Sequence, residues 1–206
     1  MTAAARFLAL GDSYTIGEGV APEERWPVQL AAALRHQGAT IANPEIVAKT
    51  GWTTDELVAA IDSADPRGRY DLVSLLIGVN NQYRGLPLDD YGWQFAELLG
   101  RAIAFGGGEP SRVLVLSIPD WGVTPFAEGR DRGTIAVGID AFNAINRAEA
   151  LRGGARYVDI TPASRRTRTD RSLVGEDGLH PSAEMYRLWA ELALPLAALA
   201  LRQAEG

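Results

Sequence analysis

Residues 6–19 are Arg6-Phe7-Leu8-Ala9-Leu10-Gly11-Asp12-Ser13-Tyr14-Thr15-Ile16-Gly17-Glu18-Gly19. The apolar first half predicts a buried strand, and the glycine-rich second half predicts a turn that leaves the Ser13 hydroxyl where the strand ends. Ser13 is therefore the first nucleophile candidate. A simpler interpretation is that Asp12 and Ser13 only cap a turn or a helix.

The strand that precedes Ser13 is the first of five similar runs. Each is short and rich in Val, Ile and Leu, as strands buried on both faces should be. The runs are residues 7–10, 45–48, 72–77, 113–118 and 157–160. Apolar residues with helical spacing lie between and after them, a capping box at Thr53 and Glu56 marks one helix start, and Pro195 should kink or end the last helix. The alternation predicts a parallel sheet with helices on both faces.

Composition narrows the possible functions. The 206 residues, 47% hydrophobic and 22% charged, suit a single domain over residues 1–206. A net charge of -6 argues against a nucleic-acid partner. Because the chain has no Cys and only two His, we expect no zinc-thiolate site and no other metal centre. No run is long enough for a membrane span, and residues 1–10 lack the features of a signal peptide, so we expect a cytoplasmic protein.

Polar residues follow each predicted strand. In a parallel sheet ligands bind at the carboxyl ends of the strands, so these residues should share one edge. The segments in question are Ser13, residues 49–52 with Gly51, residues 78–81 with Asn80, residues 119–121, and residues 177–181.

These segments resemble the motifs of the SGNH or GDSL hydrolases. The matches, in family order, are Gly11-Asp12-Ser13, Gly51, Gly78-Val79-Asn80 and Asp177-Gly178-Leu179-His180-Pro181. The resemblance implies a flavodoxin-like three-layer α/β/α sandwich with a five-stranded parallel sheet of order 2-1-3-4-5. It also implies ester hydrolysis by Ser13, His180 and Asp177, with an oxyanion hole made by the backbone N–H groups of Ser13 and Gly51 and the side-chain amide of Asn80. Tyr14 replaces the family's leucine, and Asn81 stands where many members have aspartate.

The chemistry explains why these residue types are needed. A serine hydroxyl needs a general base, and His180 suits this role better than His36, which we expect to be solvated at a helix end. Asp177, three residues before His180, could orient the imidazole or could be only a turn former. If the family register is wrong by one residue, Asn81 rather than Asn80 is the oxyanion donor.

The sequence says less about specificity. Trp52 and Trp121 could wall the substrate pocket or pack on the rim of the domain, whereas three other tryptophans, Trp26, Trp93 and Trp189, fit helical faces and are expected in the core. Residues 120–134 could form a lid or simply a mobile loop. A basic run contains Arg165, Arg166, Arg168 and Arg171. We expect it to be a solvated loop, with contact to an anionic substrate as the minority hypothesis.

The leading hypothesis is a cofactor-independent serine esterase that hydrolyses a small or medium carboxylic ester through an acyl-Ser13 intermediate. Deacetylation of a carbohydrate, or acyl transfer to an alcohol, would use the same chemistry. A non-catalytic flavodoxin-like module for a nucleotide or flavin is the alternative from another class. The glycine spacing at positions 11, 17 and 19 does not match the phosphate-binding motifs of such modules. The sequence predicts neither the physiological ester nor the oligomeric state.

Overall fold

A computed structural model describes residues 3–204, and its centre is one five-stranded sheet. The strands are β1 (Phe7–Gly11), β2 (Glu45–Ala48), β3 (Leu72–Leu76), β4 (Val113–Leu116) and β5 (Arg156–Val158). All neighbouring strands are parallel, and their order is β2-β1-β3-β4-β5. The predicted strands, their parallel arrangement and their order are thus confirmed, with bounds that differ by at most two residues.

Helices cover both faces of the sheet. They are α1 (Ser13–Ile16), α2 (Trp26–His36), α3 (Thr54–Ala64), α4 (Val79–Tyr83), α5 (Leu88–Phe105), α6 (Arg132–Gly153), α7 (Thr161–Ser164) and α8 (Ala183–Ala204). The connection from β1 to β2 runs in the opposite direction along the sheet from the later ones. Right-handed crossovers therefore put α2 on one face and α3, α5 and α6 on the other. The last helix, α8, lies on the same face of the sheet as α2, and these two helices pack against each other.

Burial differs between the central and the edge strands. Every residue of β1, β3 and β4 is buried. Leu75 in β3 pairs with Leu10 in β1 and with Val115 in β4, which sets the register of the core. At the edge, Glu45 of β2 is exposed and lies 3.5 Å from the Arg6 guanidinium. Burial on both faces was therefore predicted correctly for the three central strands and wrongly for the edge strands β2 and β5, each of which has one buried residue.

Two helices differ from expectation. Of the two outcomes expected at Pro195, a kink or an end of the last helix, the end is wrong, because the helix continues to Ala204. Ala193 and Ala197 are both fully buried, and this packing offsets the backbone hydrogen bond that proline cannot make. Trp93 was expected in the core but is 80% exposed on α5, whereas Trp26 and Trp189 are fully buried as predicted.

The remaining expectations about helices agree with the structure. The predicted capping box is present at the start of α3, where the Glu56 carboxylate accepts the Thr53 N–H at 2.8 Å. His36 is exposed at the end of α2, as expected. Within residues 3–204, no helix combines the length and the apolar character needed to cross a bilayer.

Candidate active site

The nucleophile candidate lies on a tight turn between β1 and α1. A Cβ on Gly11, the last residue of β1, would approach the carbonyl oxygen of Leu76 to 2.4 Å, so only glycine fits there. Asp12 caps α1 by accepting the Tyr14 N–H at 3.0 Å. Ser13 is the first residue of the helix, and the first N–H groups of a helix have no partner within it. The turn thus leaves the backbone N–H of Ser13 available beside its hydroxyl.

A cavity of about 150 Å³ opens at the carboxyl edge of the sheet, and four predicted site residues line it: Ser13, Gly51, Asn80 and His180. Ser13 follows β1, Gly51 follows β2, Asn80 follows β3, and His180 lies in the loop before α8. They meet because all the strands are parallel and end at the same edge. The other lining residues are Tyr14, Thr50, Val79, Tyr83, Trp121, Phe126 and Leu179.

Asp177 orients His180 through a compact turn. Asp177 Oδ2 lies 2.5 Å from His180 Nδ1, while Oδ1 accepts the backbone N–H groups of Leu179 and His180, each at 2.9 Å. Partial burial raises the pKa of Asp177, but the hydrogen bond with the His180 side chain and those from the two backbone N–H groups outweigh burial and bring it below its usual value. Asp177 is therefore a stable carboxylate at neutral pH.

The other imidazole nitrogen of His180, Nε2, is not used by Asp177 and can interact with groups in the cavity. The imidazole of His180 is bonded to Asp177, and within residues 3–204 no hydrogen bond joins it to Ser13. Such bonds are often long in free hydrolases and shorten when substrate binds.

The expected oxyanion donors are fixed by their neighbours. Gly51 has a φ of +88°, and its carbonyl oxygen accepts a hydrogen bond from Arg84 at 2.6 Å. The Asn80 side chain donates to the carbonyl oxygen of Trp52 at 2.9 Å. An amide NH₂ has two donors, so this bond orients Asn80 and leaves its second N–H for the cavity.

Asn81, the alternative donor, is occupied elsewhere. Its side chain is almost fully buried and does not line the cavity. Its amide donates to Thr54 Oγ1 at 2.7 Å and its oxygen accepts the Thr54 N–H at 3.1 Å, which ties α4 to the start of α3. Asn80 rather than Asn81 is thus in position to contact a ligand.

Aromatic side chains form one wall of the cavity. Trp121 belongs to it, and its indole N–H donates to Gln82 at 2.7 Å. Trp52 is not among the lining residues, so of the two tryptophans only Trp121 is in position to contact a ligand in this cavity. Tyr83 and Phe126 complete the wall with ring centroids 5.2 Å and 6.0 Å from that of Trp121. Sequence reasoning missed both, because neither lies in a motif.

The segment that follows β4 is tied down rather than loose. Residues 121–127 form two 3-10 turns, and Arg132 donates to the carbonyl oxygens of Gly122 at 2.6 Å and Thr124 at 3.1 Å. The Phe126 N–H donates to the carbonyl oxygen of Gly178 at 2.9 Å, which links the aromatic wall to the His180 loop. These bonds do not fit a freely moving lid.

Arg165, a member of the basic run, anchors the residue that precedes this segment. Arg165 pairs with the buried Asp120 at 2.9 Å and with Asp140 at 2.7 Å. For Arg165 the expectation of a solvated loop was therefore wrong, because a buried carboxylate at the end of β4 needs a cationic partner. Arg166, Arg168 and Arg171 are exposed, as expected.

Two buried groups beside Ser13 shape the electrostatics of the site. Asp12 is fully buried, its Oδ2 has no hydrogen-bond partner among residues 3–204, and burial raises its pKa to about 7. The Tyr14 ring lies 5.6 Å from that of His180. Burial, followed by the charge of Asp12, raises the pKa of Tyr14, so its hydroxyl stays neutral.

Known proteins show what this chain is similar to. The crystal structure of TesA is 21% identical and covers 95% of this chain and 99% of its own, with a TM-score of 0.75. A lipase/acylhydrolase from Enterococcus faecalis is 19% identical, covers 94% and 95%, and has a TM-score of 0.69. Axe2, an acetylxylan esterase from Geobacillus stearothermophilus, is 19% identical, covers 96% of each chain, and has a TM-score of 0.68.

At these low sequence identities the similarity shows a shared fold only. A search of curated proteins found no match. The model of the GDSL-like lipase/acylhydrolase family, in contrast, matches residues 9–188, which include every motif that carried the resemblance. The chain therefore belongs to the GDSL-like lipase/acylhydrolase family.

Proposed function

We propose that the protein is a serine esterase that acts on small or medium carboxylic esters. His180 takes the proton of the Ser13 hydroxyl as Ser13 Oγ bonds to the ester carbonyl carbon. Asp177 keeps the imidazole in the required tautomer and stabilises the imidazolium without accepting its proton. The C–O bond to the alcohol then breaks, and His180 gives the proton to the departing alkoxide.

Water completes the cycle. It attacks the acyl-Ser13 carbonyl while His180 accepts one of its protons, and collapse of the intermediate returns that proton to Ser13 and releases the acid. Both tetrahedral intermediates carry a negative oxygen. The N–H groups of Ser13 and Gly51 and the free amide N–H of Asn80 are the proposed donors to it, each worth on the order of 100- to 1,000-fold in rate.

The observation that carries this proposal is the cavity that Ser13, Gly51, Asn80 and His180 line together, with Asp177 bonded to His180 on its far side. Its volume of about 150 Å³ and its aromatic wall favour a small or medium apolar acyl group. The glycines at positions 11, 17 and 19 match no phosphate-binding motif, which argues against the binding-module alternative.

Labelling and turnover test the proposal. A fluorophosphonate should label Ser13, and Ser13→Ala should lose both labelling and hydrolysis of p-nitrophenyl acetate. His180→Ala should be as impaired as Ser13→Ala, whereas His36→Ala, the matched control at the exposed end of α2, should keep wild-type turnover. Undiminished turnover by a folded Ser13→Ala protein would falsify the mechanism.

Deacetylation of a carbohydrate is a second candidate. Tyr83 and Phe126 are 44% and 39% exposed at the cavity, and exposed aromatic rings can pack on the apolar face of a sugar. Axe2 is described as an acetylxylan esterase, which fits the same use of this fold. A series of p-nitrophenyl acyl esters measured beside acetylated xylooligosaccharides separates the two. A kcat/KM that rises with acyl length points to a simple ester, and one that is highest for the sugars points to deacetylation.

A further inference from the structure

A guanidinium group stands over the aromatic wall of the cavity. The Arg130 Cζ atom lies 5.3 Å from the ring centroid of Tyr83, 5.3 Å from that of Trp121 and 5.1 Å from that of Phe126. An Arg130 N–H also donates to the Tyr83 hydroxyl at 3.4 Å. Contact with three rings at these distances is a cation–π arrangement, and it fixes where the charge stands.

Unlike Arg84 and Arg165, Arg130 lacks a carboxylate partner. Arg84 lies 3.5 Å from Glu56, and Arg165 pairs with two aspartates. For Arg130, no carboxylate of residues 3–204 lies within 4.0 Å of the guanidinium, and the residue is exposed. A guanidinium has five N–H donors, and the bond to the Tyr83 hydroxyl is the single hydrogen bond that Arg130 makes through them within residues 3–204, so donors remain for a second ligand. Those donors fit a carboxylate or phosphate.

We propose that Arg130 determines specificity by binding an anionic group on the ester substrate. The inference rests on the proposed esterase function and names its substrate class: an ester whose apolar part packs on Tyr83, Trp121 and Phe126 while a carboxylate or phosphate meets Arg130. A cationic substrate would need the position over the rings that Arg130 already fills. It would also be repelled by that charge, so the arrangement favours the anion.

Matched ester pairs test the inference. On the acyl side the pair is mono-p-nitrophenyl glutarate and p-nitrophenyl pentanoate, which have the same chain length. On the alcohol side the pair is 4-acetoxybenzoate and phenyl acetate. The readout is the ratio of kcat/KM for the anionic ester to that for the neutral ester. Arg130→Gln should lower this ratio by about 2- to 5-fold in one pair, the size expected for a solvent-exposed charged contact.

The controls separate charge recognition from general damage. Arg67→Gln removes an exposed arginine before β3, at the opposite edge of the sheet, and should leave the ratio unchanged. Added salt should lower the wild-type ratio but not that of Arg130→Gln. An unchanged ratio in both pairs for Arg130→Gln would overturn the inference and leave the esterase mechanism intact.

Two further outcomes would also overturn the inference. A wild-type preference for p-nitrophenyl 4-(trimethylammonio)butanoate over both other acyl esters would show recognition of a cation. Full turnover by Ser13→Ala would overturn the esterase proposal and this inference with it.

Discussion

Replacing Asp12 by asparagine should make the protein more stable at pH 8 and change little at pH 4. In the folded protein burial raises the pKa of Asp12 from 3.8 to about 7. Between these values the folded chain retains a proton that the unfolded chain has released. The unfolded state binds fewer protons there, so the free energy of unfolding falls as pH rises, and the loss is complete above about pH 7.

The size of the effect follows from the same two values. Each tenfold difference in proton affinity corresponds to about 1.36 kcal/mol, so the rise from 3.8 to about 7 corresponds to about 4 kcal/mol. Asparagine keeps an oxygen for the Tyr14 N–H and cannot ionise. Near pH 4 the two proteins should nearly coincide, because a protonated carboxyl and a carboxamide are both neutral and similar in shape. At pH 8 Asp12→Asn should be more stable by about 4 kcal/mol.

Urea unfolding followed by tryptophan fluorescence measures this, since Trp26 and Trp189 are fully buried. Midpoints and slopes at pH 4, 5.5, 7 and 8 give the free energy of unfolding for each protein. Asp89→Asn, which removes an exposed carboxylate in the first turn of α5, is the matched control and should follow the wild-type curve. Parallel curves for wild-type and Asp12→Asn from pH 4 to pH 8 would refute the reasoning.

Four more substitutions test the site and the turns around it. Asp177→Asn should lower kcat for p-nitrophenyl acetate by about 10⁴-fold, because the two backbone N–H groups hold its oxygen and turn its NH₂ toward the imidazole, which selects the wrong tautomer; a loss below tenfold would contradict this. Asn80→Ala should lower kcat by about 100- to 1,000-fold with little change in KM, whereas Asn81→Ala should chiefly cost about 1–3 kcal/mol in urea unfolding. Equal losses of kcat in the two would show that the donor is assigned wrongly. Gly78→Ala should destabilise by more than about 3 kcal/mol, since its φ is +126° and a Cβ would meet a tyrosine ring at 2.7 Å; wild-type stability would rule out that clash.

The strands were predictable because burial on both faces leaves a plain signature. The runs at β1, β3 and β4 are apolar except for Ser74 because helices cover both sides of those strands. Once the strands are parallel, their carboxyl ends share an edge, and the positions of Ser13, Gly51 and Asn80 follow from topology. The fold and the main side chains at the cavity are therefore consequences of pattern and connectivity.

Trp93 shows where the pattern was misapplied. The buried residues of α5 are Tyr91, Phe95, Leu98, Leu99 and Ala102. At about 100° per residue, Trp93 lies about 170° from the centre of that stripe. Its spacing thus predicts exposure, and the expectation that it fits the buried face of the helix was wrong.

Other features depend on contacts that no periodicity encodes. The aromatic wall joins Tyr83 from α4 with Trp121 and Phe126 from two 3-10 turns, so it forms only in three dimensions. Arg165 and Asp120 are 45 positions apart in the sequence, and no local pattern around either residue predicts that they pair. Long-range side-chain geometry of this kind has to be observed.

The hydrogen bond from the Phe126 N–H to the Gly178 carbonyl oxygen has a consequence for redesign. It couples the aromatic wall of the cavity to the turn that carries His180, the proposed base, so backbone changes in one will be transmitted to the other. Attempts to broaden substrate range by remodelling residues 121–127 should therefore slow the chemistry as a side effect. Substitution of side chains at this surface, such as Arg130, should change the substrate range more readily than replacement of the loop backbone.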